Sequence, residues 1–244
     1  MKTFLNTCLI LLIAFSFCAF DWSPLDKEAM SKKLEEINLQ IKTMQNYSIL
    51  ISHASFEDFT STIPHEKSTG YFKRDGSRFH SFLMGVHTIQ NAGCKLVVDS
   101  IHHLIYVSDP TSTLENTLSS QDYSILLKTC TSFKKGQVEK QMLYRFEFGK
   151  EYPLDAYEMT LSPTGLLDKI SIYYNREVKR ENNTSTKPRM EITFRNWKKN
   201  TVFASDEFDQ TKYVEKKGDQ YTLGPAYLKN YKLLDQRVLT KKKN

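Results

Sequence analysis

Between Ser68 and Pro110 apolar and polar positions alternate in short runs, each closed by a turn signal. Asp75-Gly76 separates GYFKR from SRFHSFLMG, Asn91-Ala92-Gly93 separates VHTIQ from CKLVVD, and Asp99-Ser100 leads into HHLIYVSDP, which Pro110 stops. A period of two bounded by Gly-containing turns predicts an antiparallel meander. Upstream the period changes. Met30, Leu34, Ile37, Ile41 and Met44 recur at spacings of four and three, while Lys32, Lys33, Glu35, Glu36 and Lys42 mostly occupy the other side. That spacing predicts one amphipathic helix over 21–47, started by Ser23 as N-cap with Pro24 at the first helical position. A helix with a single apolar stripe has to lie against something, and the strands offer the available surface.

The rest of the chain extends the same grammar. Tyr47 to Phe56 reads as a strand, and Phe59 to Lys67 as a loop because Pro64 lacks a ladder donor. Tyr123, Leu126 and Leu127 suggest a short helix over 121–129. Alternation then returns: Tyr144 and Phe146, Tyr157 and Met159, Ile170 and Ile172, and Ile192 and Phe194 each share a face of their strand. Asn175 to Lys187 is a polar loop, and TVFAS and DQYTL read as late extended segments. The sum is an α+β chain of about 9–11 antiparallel strands with an N-terminal helix and a short helical insertion. No repeat or composition shift divides it, so residues 19–244 read as one domain with a basic tail.

The N-terminus reads as an address. Lys2 and the apolar run from Cys8 to Phe17 have the form of a signal peptide over 1–18, with Ser16 and Cys18 at the −3 and −1 positions and cleavage before Ala19. A lipobox would use Cys18 instead, but Phe17 stands where a small residue belongs. The expected location is the periplasm. Of the four cysteines only Cys94 and Cys130 remain after cleavage, and an exported protein allows either a disulfide between them or two packed thiols. The net charge of +6 falls to about +2 for the folded body when Lys2 and the tail lysines 241–243 are set aside. That is too little for a nucleic-acid footprint.

Catalytic patterns are missing. There is no Gly-x-Ser-x-Gly elbow and no Gly-rich phosphate loop. Asp75 and Asp99 are accounted for as turn residues. His80 and His87 are an odd number of residues apart, and His102 and His103 are adjacent, so a continuous strand would split each pair across its two faces. No metal, cofactor or enzymatic activity is expected. The sequons at Asn46 and Asn182 matter only in a eukaryotic secretory pathway.

An exported chain in which an amphipathic helix runs into a long antiparallel sheet resembles the periplasmic lipoprotein carrier family, the LolA-like fold, over roughly 27–214. The resemblance is carried by the GYFKR…RFHSF hairpin, by VVDSIHHLIYVSDP, and by the block from Asp155 to Ile172 feeding into MEITFRNWKKNTVFASDEF, where Phe208 looks like the family's late phenylalanine. Ser100-Ile101-His102-His103 departs from the Gly-x-Leu-Trp-like segment of the carriers, and the nearest basic residues to their cavity arginine are Lys73 and Arg78. The resemblance implies an incomplete antiparallel β-barrel with both helices packed on or into its concave face, and an apolar cavity for acyl chains. The candidate cavity residues are Tyr144, Phe146, Tyr157, Met159, Ile170, Ile172, Ile192 and Phe194. The candidate lid is the stripe Met30, Leu34, Ile37, Ile41 and Met44. The expected function is non-catalytic carriage or binding, by a monomer, of the acyl chains of lipids or lipoproteins. The rival is an envelope interaction protein of the same fold with a filled core, contacting protein partners through 175–187 or the tail. A hydrolase whose residues converge only in three dimensions is the third reading.

Overall fold

The computed structural model describes residues 21–111, 123–179, 184–227 and 229–237. The expected signal peptide with Cys8 and Cys18, the lysine tail, the Asn182 sequon and the tip of the 175–187 loop lie outside them. In chain order the elements are β1 (Ser23–Leu25), α1 (Lys27–Thr43), β2 (Asn46–Phe56), β3 (Glu66–Asp75), β4 (Arg78–Leu83), β5 (Val86–Gln90), β6 (Lys95–Asp99) and β7 (Leu104–Ser108). Then follow α2 (Tyr123–Thr129), β8 (Cys130–Val138), β9 (Gln141–Phe148), β10 (Leu154–Leu161), β11 (Leu167–Tyr174), β12 (Val178–Lys179), β13 (Ser185–Thr186) and β14 (Arg189–Lys199). The last are β15 (Val214–Lys217), β16 (Gln220–Leu223) and β17 (Lys232–Asp235).

Thirteen of these strands form one sheet in the order β1-β8-β9-β10-β11-β14-β2-β3-β4-β5-β6-β7-β17. This exceeds the nine to eleven expected, because very short strands were added at both edges. Every pairing in the sheet is antiparallel except β17 with β7. The sheet is open, and β12–β13 and β15–β16 are separate hairpins.

The helix starts later than the Ser23-Pro24 pattern predicts. Asp26 is the N-cap, its carboxylate accepting from the Ala29 amide at 2.7 Å, and Ser23–Leu25 pairs with Lys135–Phe133 instead. A carboxylate one step before Lys27 caps as well as a hydroxyl does, and this frees Ser23 to Leu25 to extend the sheet. Met44 is the C-cap and packs at the margin of the stripe. The 17 residues of α1 are about 25 Å long at 1.5 Å each. Six strand spacings of about 4.8 Å separate β1 from β2. With short connectors at each end, α1 therefore crosses the sheet from its edge to its centre, tied down by a strand at either side.

Register decides what α1 covers. Tyr144, Met159, Ile170 and Ile192 are successive partners across β9, β10, β11 and β14, and Phe146, Tyr157 and Ile172 form the next row. Phe194 continues to Ile51, beside Ile49 and its partner Phe72. All lie on the α1 face, where Met30, Leu34, Ile37 and Ile41 pack among them at 2% exposure or less. The outer face of the same strands is a lattice of ion pairs: Lys134 with Glu147 at 2.8 Å, Arg145 with Glu147 at 3.2 Å and with Glu158, and Arg189 with Glu191 at 3.4 Å.

Farther along the sheet the outer face is covered too. Ile89, Leu96, Val98, Ile105 and Val107 project outward and are buried by Tyr213, Val214, Tyr227 and Tyr231 of the C-terminal segment. The expected TVFAS strand does not form. Residues 201–213 run as turns across the outer face, and Gln210 plugs into the sheet by donating to the Ile89 and Cys94 carbonyls at 2.8 and 2.9 Å. The sheet thus carries one core on each face.

Candidate functional site: the helix-covered face

All eight cavity candidates fall on the α1 face and join a single apolar cluster with the stripe. Phe146, Met159, Ile170, Phe194, Tyr157 and Tyr144 are buried, and Ile172 and Ile192 are half-buried at its margin. The predicted period and the predicted face are both realised. In this conformation α1 occupies the space that the resemblance assigns to a ligand. Tyr123 of α2 is buried in the same cluster, and burial pushes its phenol up to about 12. Tyr47 is likewise raised to about 12 by burial, against the opposing pull of Arg74, and Tyr157 goes well above its ordinary value.

Polar groups on this face are few; Gln90 is fully bonded to Ser77 and Thr111, while several others lack partners among the described residues. Tyr47, Arg74, Phe79, Gln90 and Lys95 form one cross-strand row. Arg74 is 6% exposed. Its Nε donates to the Gly76 carbonyl at 2.9 Å, while its Nη1 has no hydrogen-bond partner among the described residues. The Tyr47 hydroxyl is near enough to feel the guanidinium charge but makes no bond of good geometry. Desolvation lowers the pKa of Arg74, and it also lowers that of Lys95, two strands past Phe79. At the other end of β2, His53 is 7% exposed with Nδ1 unbonded, opposite Ser68, whose hydroxyl is also unbonded. A buried polar group without a partner costs about 1–3 kcal/mol, more for a charge.

Sequence reasoning missed Arg74. Lys73 and Arg78, the residues considered for the family's cavity arginine, lie on the outer face: Lys73 pairs with Glu207 at 2.8 Å, and Arg78 pairs with Asp75 and stacks on Phe208 at 5.0 Å. One step along a strand changes the face. Phe208 itself is buried on that side against Phe203. Cys94 and Cys130 are free thiols. They stand nine places apart in the sheet order and belong to different cores, which rules out the disulfide that the sequence allowed. His80 and His87 also correct the reading from spacing. Met84-Gly85, both at positive φ, turns the chain between them, so Phe82 pairs with His87 and both imidazoles share the outer face.

Surface clefts lie elsewhere: one of about 360 Å³ is lined by Ser55, Phe56, Glu57, His65, Val178 and Pro188, and one of about 230 Å³ by residues including Ser48, Leu50, Tyr71 and Lys73. No group of three or more His, Cys, Asp or Glu side chains among the described residues is placed to hold a metal.

No family model matches the chain, and no curated protein does. Solved structures that align with it include a DUF1329 family protein from Desulfovibrio piger, 13% identical over 76% of this chain and 98% of that one, with a TM-score of 0.33. Another is an outer membrane lipoprotein-sorting protein domain from Vibrio parahaemolyticus, 12% identical over 73% of this chain and 97% of that one, with a TM-score of 0.26.

Proposed function

We propose that the chain binds the acyl chains of lipids or lipidated proteins on the α1-covered face and carries them without chemistry, in the periplasm. The observation that supports this most is Arg74: a cation buried on a largely apolar face, with no acidic partner among the described residues. Burying a charge without a counter-group is unfavourable, and an amphiphile with polar or anionic atoms at its head would supply one. Acyl chains gain about 0.8 kcal/mol per buried CH₂, enough in aggregate to compete with the stripe. Because β1 and β2 hold α1 at both ends, entry requires α1 to shift or tilt in place, not to swing out as a free lid.

A second reading, the envelope interaction protein, draws on the tight seating of the stripe, which fills the face already. Displacement of a fluorescent fatty-acid probe separates the two. A carrier binds the probe, and Arg74→Met weakens binding by roughly 10- to 100-fold, the effect of losing a charge-assisted bond of about 1.5–3 kcal/mol. The melting temperature should not fall, since an unpaired buried cation gives the empty fold little. Unchanged affinity in Arg74→Met would remove the support from Arg74, and absence of any probe binding would favour the filled core.

A further inference from the structure

On the outer face, far from the stripe, three adjacent strands bring together Tyr71 of β3, His80 of β4 and His87 of β5. The Met84-Gly85 turn sets the register in which Tyr71, Phe82 and His87 form one row and Lys73, His80 and Ile89 the next. His80 Nε2 lies 3.0 Å from the Tyr71 hydroxyl and 3.3 Å from His87 Nδ1. His80 Nδ1 faces the other way, 3.0 Å from a Glu207 carboxylate oxygen. With a proton on Nδ1 donated to Glu207, Nε2 keeps a single lone pair, and both Tyr71 and His87 are turned toward it. One acceptor site shared by two neighbours is a poor hydrogen-bond arrangement.

It is a good coordination arrangement. A tetrahedral ion with bonds of about 2.0–2.1 Å to nitrogen sets its ligand atoms roughly 3.3–3.4 Å apart. A carboxylate behind a ligating imidazole, fixing its tautomer, is the usual support of such a ligand. We propose that Tyr71 Oη, His80 Nε2 and His87 Nδ1 form a site for a divalent late transition metal, zinc or copper, with Glu207 orienting His80. The third donor is a phenol, so the site is not a cluster of three His, Cys, Asp or Glu side chains. Imidazole favours these ions. The surrounding charges are Lys73, which bonds Glu207 and lies 4.7 Å over the Tyr71 ring, and Lys212, beside His87 and over Tyr213. Because Glu207 belongs to the C-terminal segment, a bound ion also fastens that segment to the meander.

The test is calorimetric titration of the tag-free, chelator-stripped chain with Zn²⁺ and, separately, Cu²⁺, alongside thermal melts. One equivalent should bind and raise the melting temperature. His87→Gln and His80→Gln should each abolish stoichiometric binding, and Glu207→Gln should weaken it about 10- to 100-fold. The copper form should show a phenolate-to-metal charge-transfer band that Tyr71→Phe removes. His87 is half-buried, so its variant keeps the test valid if His80→Gln fails to fold. A folded chain that takes up neither ion, or binds both equally well in the histidine variants, would overturn the assignment.

Discussion

Gly70→Ala is expected to lower the melting temperature by roughly 6–12 °C, the effect of about 3 kcal/mol in a chain of this size. A Cβ on Gly70 would stand 1.9 Å from the Phe82 carbonyl oxygen and 3.1 Å from the Leu83 Cα. Both are backbone atoms of the neighbouring strand, so no side-chain rotation relieves the clash. Relief requires β3 and β4 to separate where Tyr71 pairs with Phe82, and that would disturb the meander on which both cores rest. Gly149 is the control: its nearest neighbour to an added Cβ is the Thr131 methyl at 3.8 Å, and Gly149→Ala should melt as the parent does. Thermal melts of the two variants settle the matter, and equal melting temperatures would show that β3 and β4 do not approach as described.

The second large effect is an alkaline loss of stability. Tyr47 and Tyr123 are raised to about 12 and Tyr157 well above the ordinary 10, in each case because burial disfavours the phenolate. The unfolded chain ionises these groups near 10 and the folded chain does not. The stabilisation is therefore fully present below pH 10 and lost as pH rises from about 10 toward 12. Each phenol contributes a slope of about 1.4 kcal/mol per pH unit, so three give roughly 4. Denaturant unfolding across that range should show at least this slope, since Tyr71, Tyr173 and Tyr221 are also raised to about 12 by burial, and Tyr47→Phe should lower it by about 1.4 kcal/mol per pH unit. If the folded chain titrates these phenols near their ordinary value, the α1 face is wet, and the dry interior described above is wrong.

The parts legible in the sequence were those governed by simple periodicity. Tyr144 through Phe194 alternate, and a period of two needs only the right register to bring four strands' residues into shared rows. The stripe from Met30 to Ile41 was equally plain. What the chain concealed was decided by competition or by turns. Ser23-Pro24 and Asp26 are both good helix starts, and only the pairing partner at β8 selects Asp26. Strands as short as β1 and β17 have no period to detect, and a parallel partner such as β7 for β17 lies far away in sequence. Lys73, Arg74 and Arg78 look alike in composition, yet pleating sends Arg74 alone to the α1 face. His80 and His87 appeared opposed because their spacing was counted through a turn that resets the face. Whether an apolar face is core or cavity is a matter of what moves, and alternation is identical in the two cases.

The most direct measurement is native mass spectrometry of the mature chain purified from a periplasmic extract without detergent, followed by organic extraction of any bound material. Acyl-binding on the α1 face predicts discrete adducts of lipid mass, reduced in Arg74→Met and identifiable after extraction. A clean apo mass that persists after incubation with lipids and lipopeptides would contradict it and leave the face as a filled core.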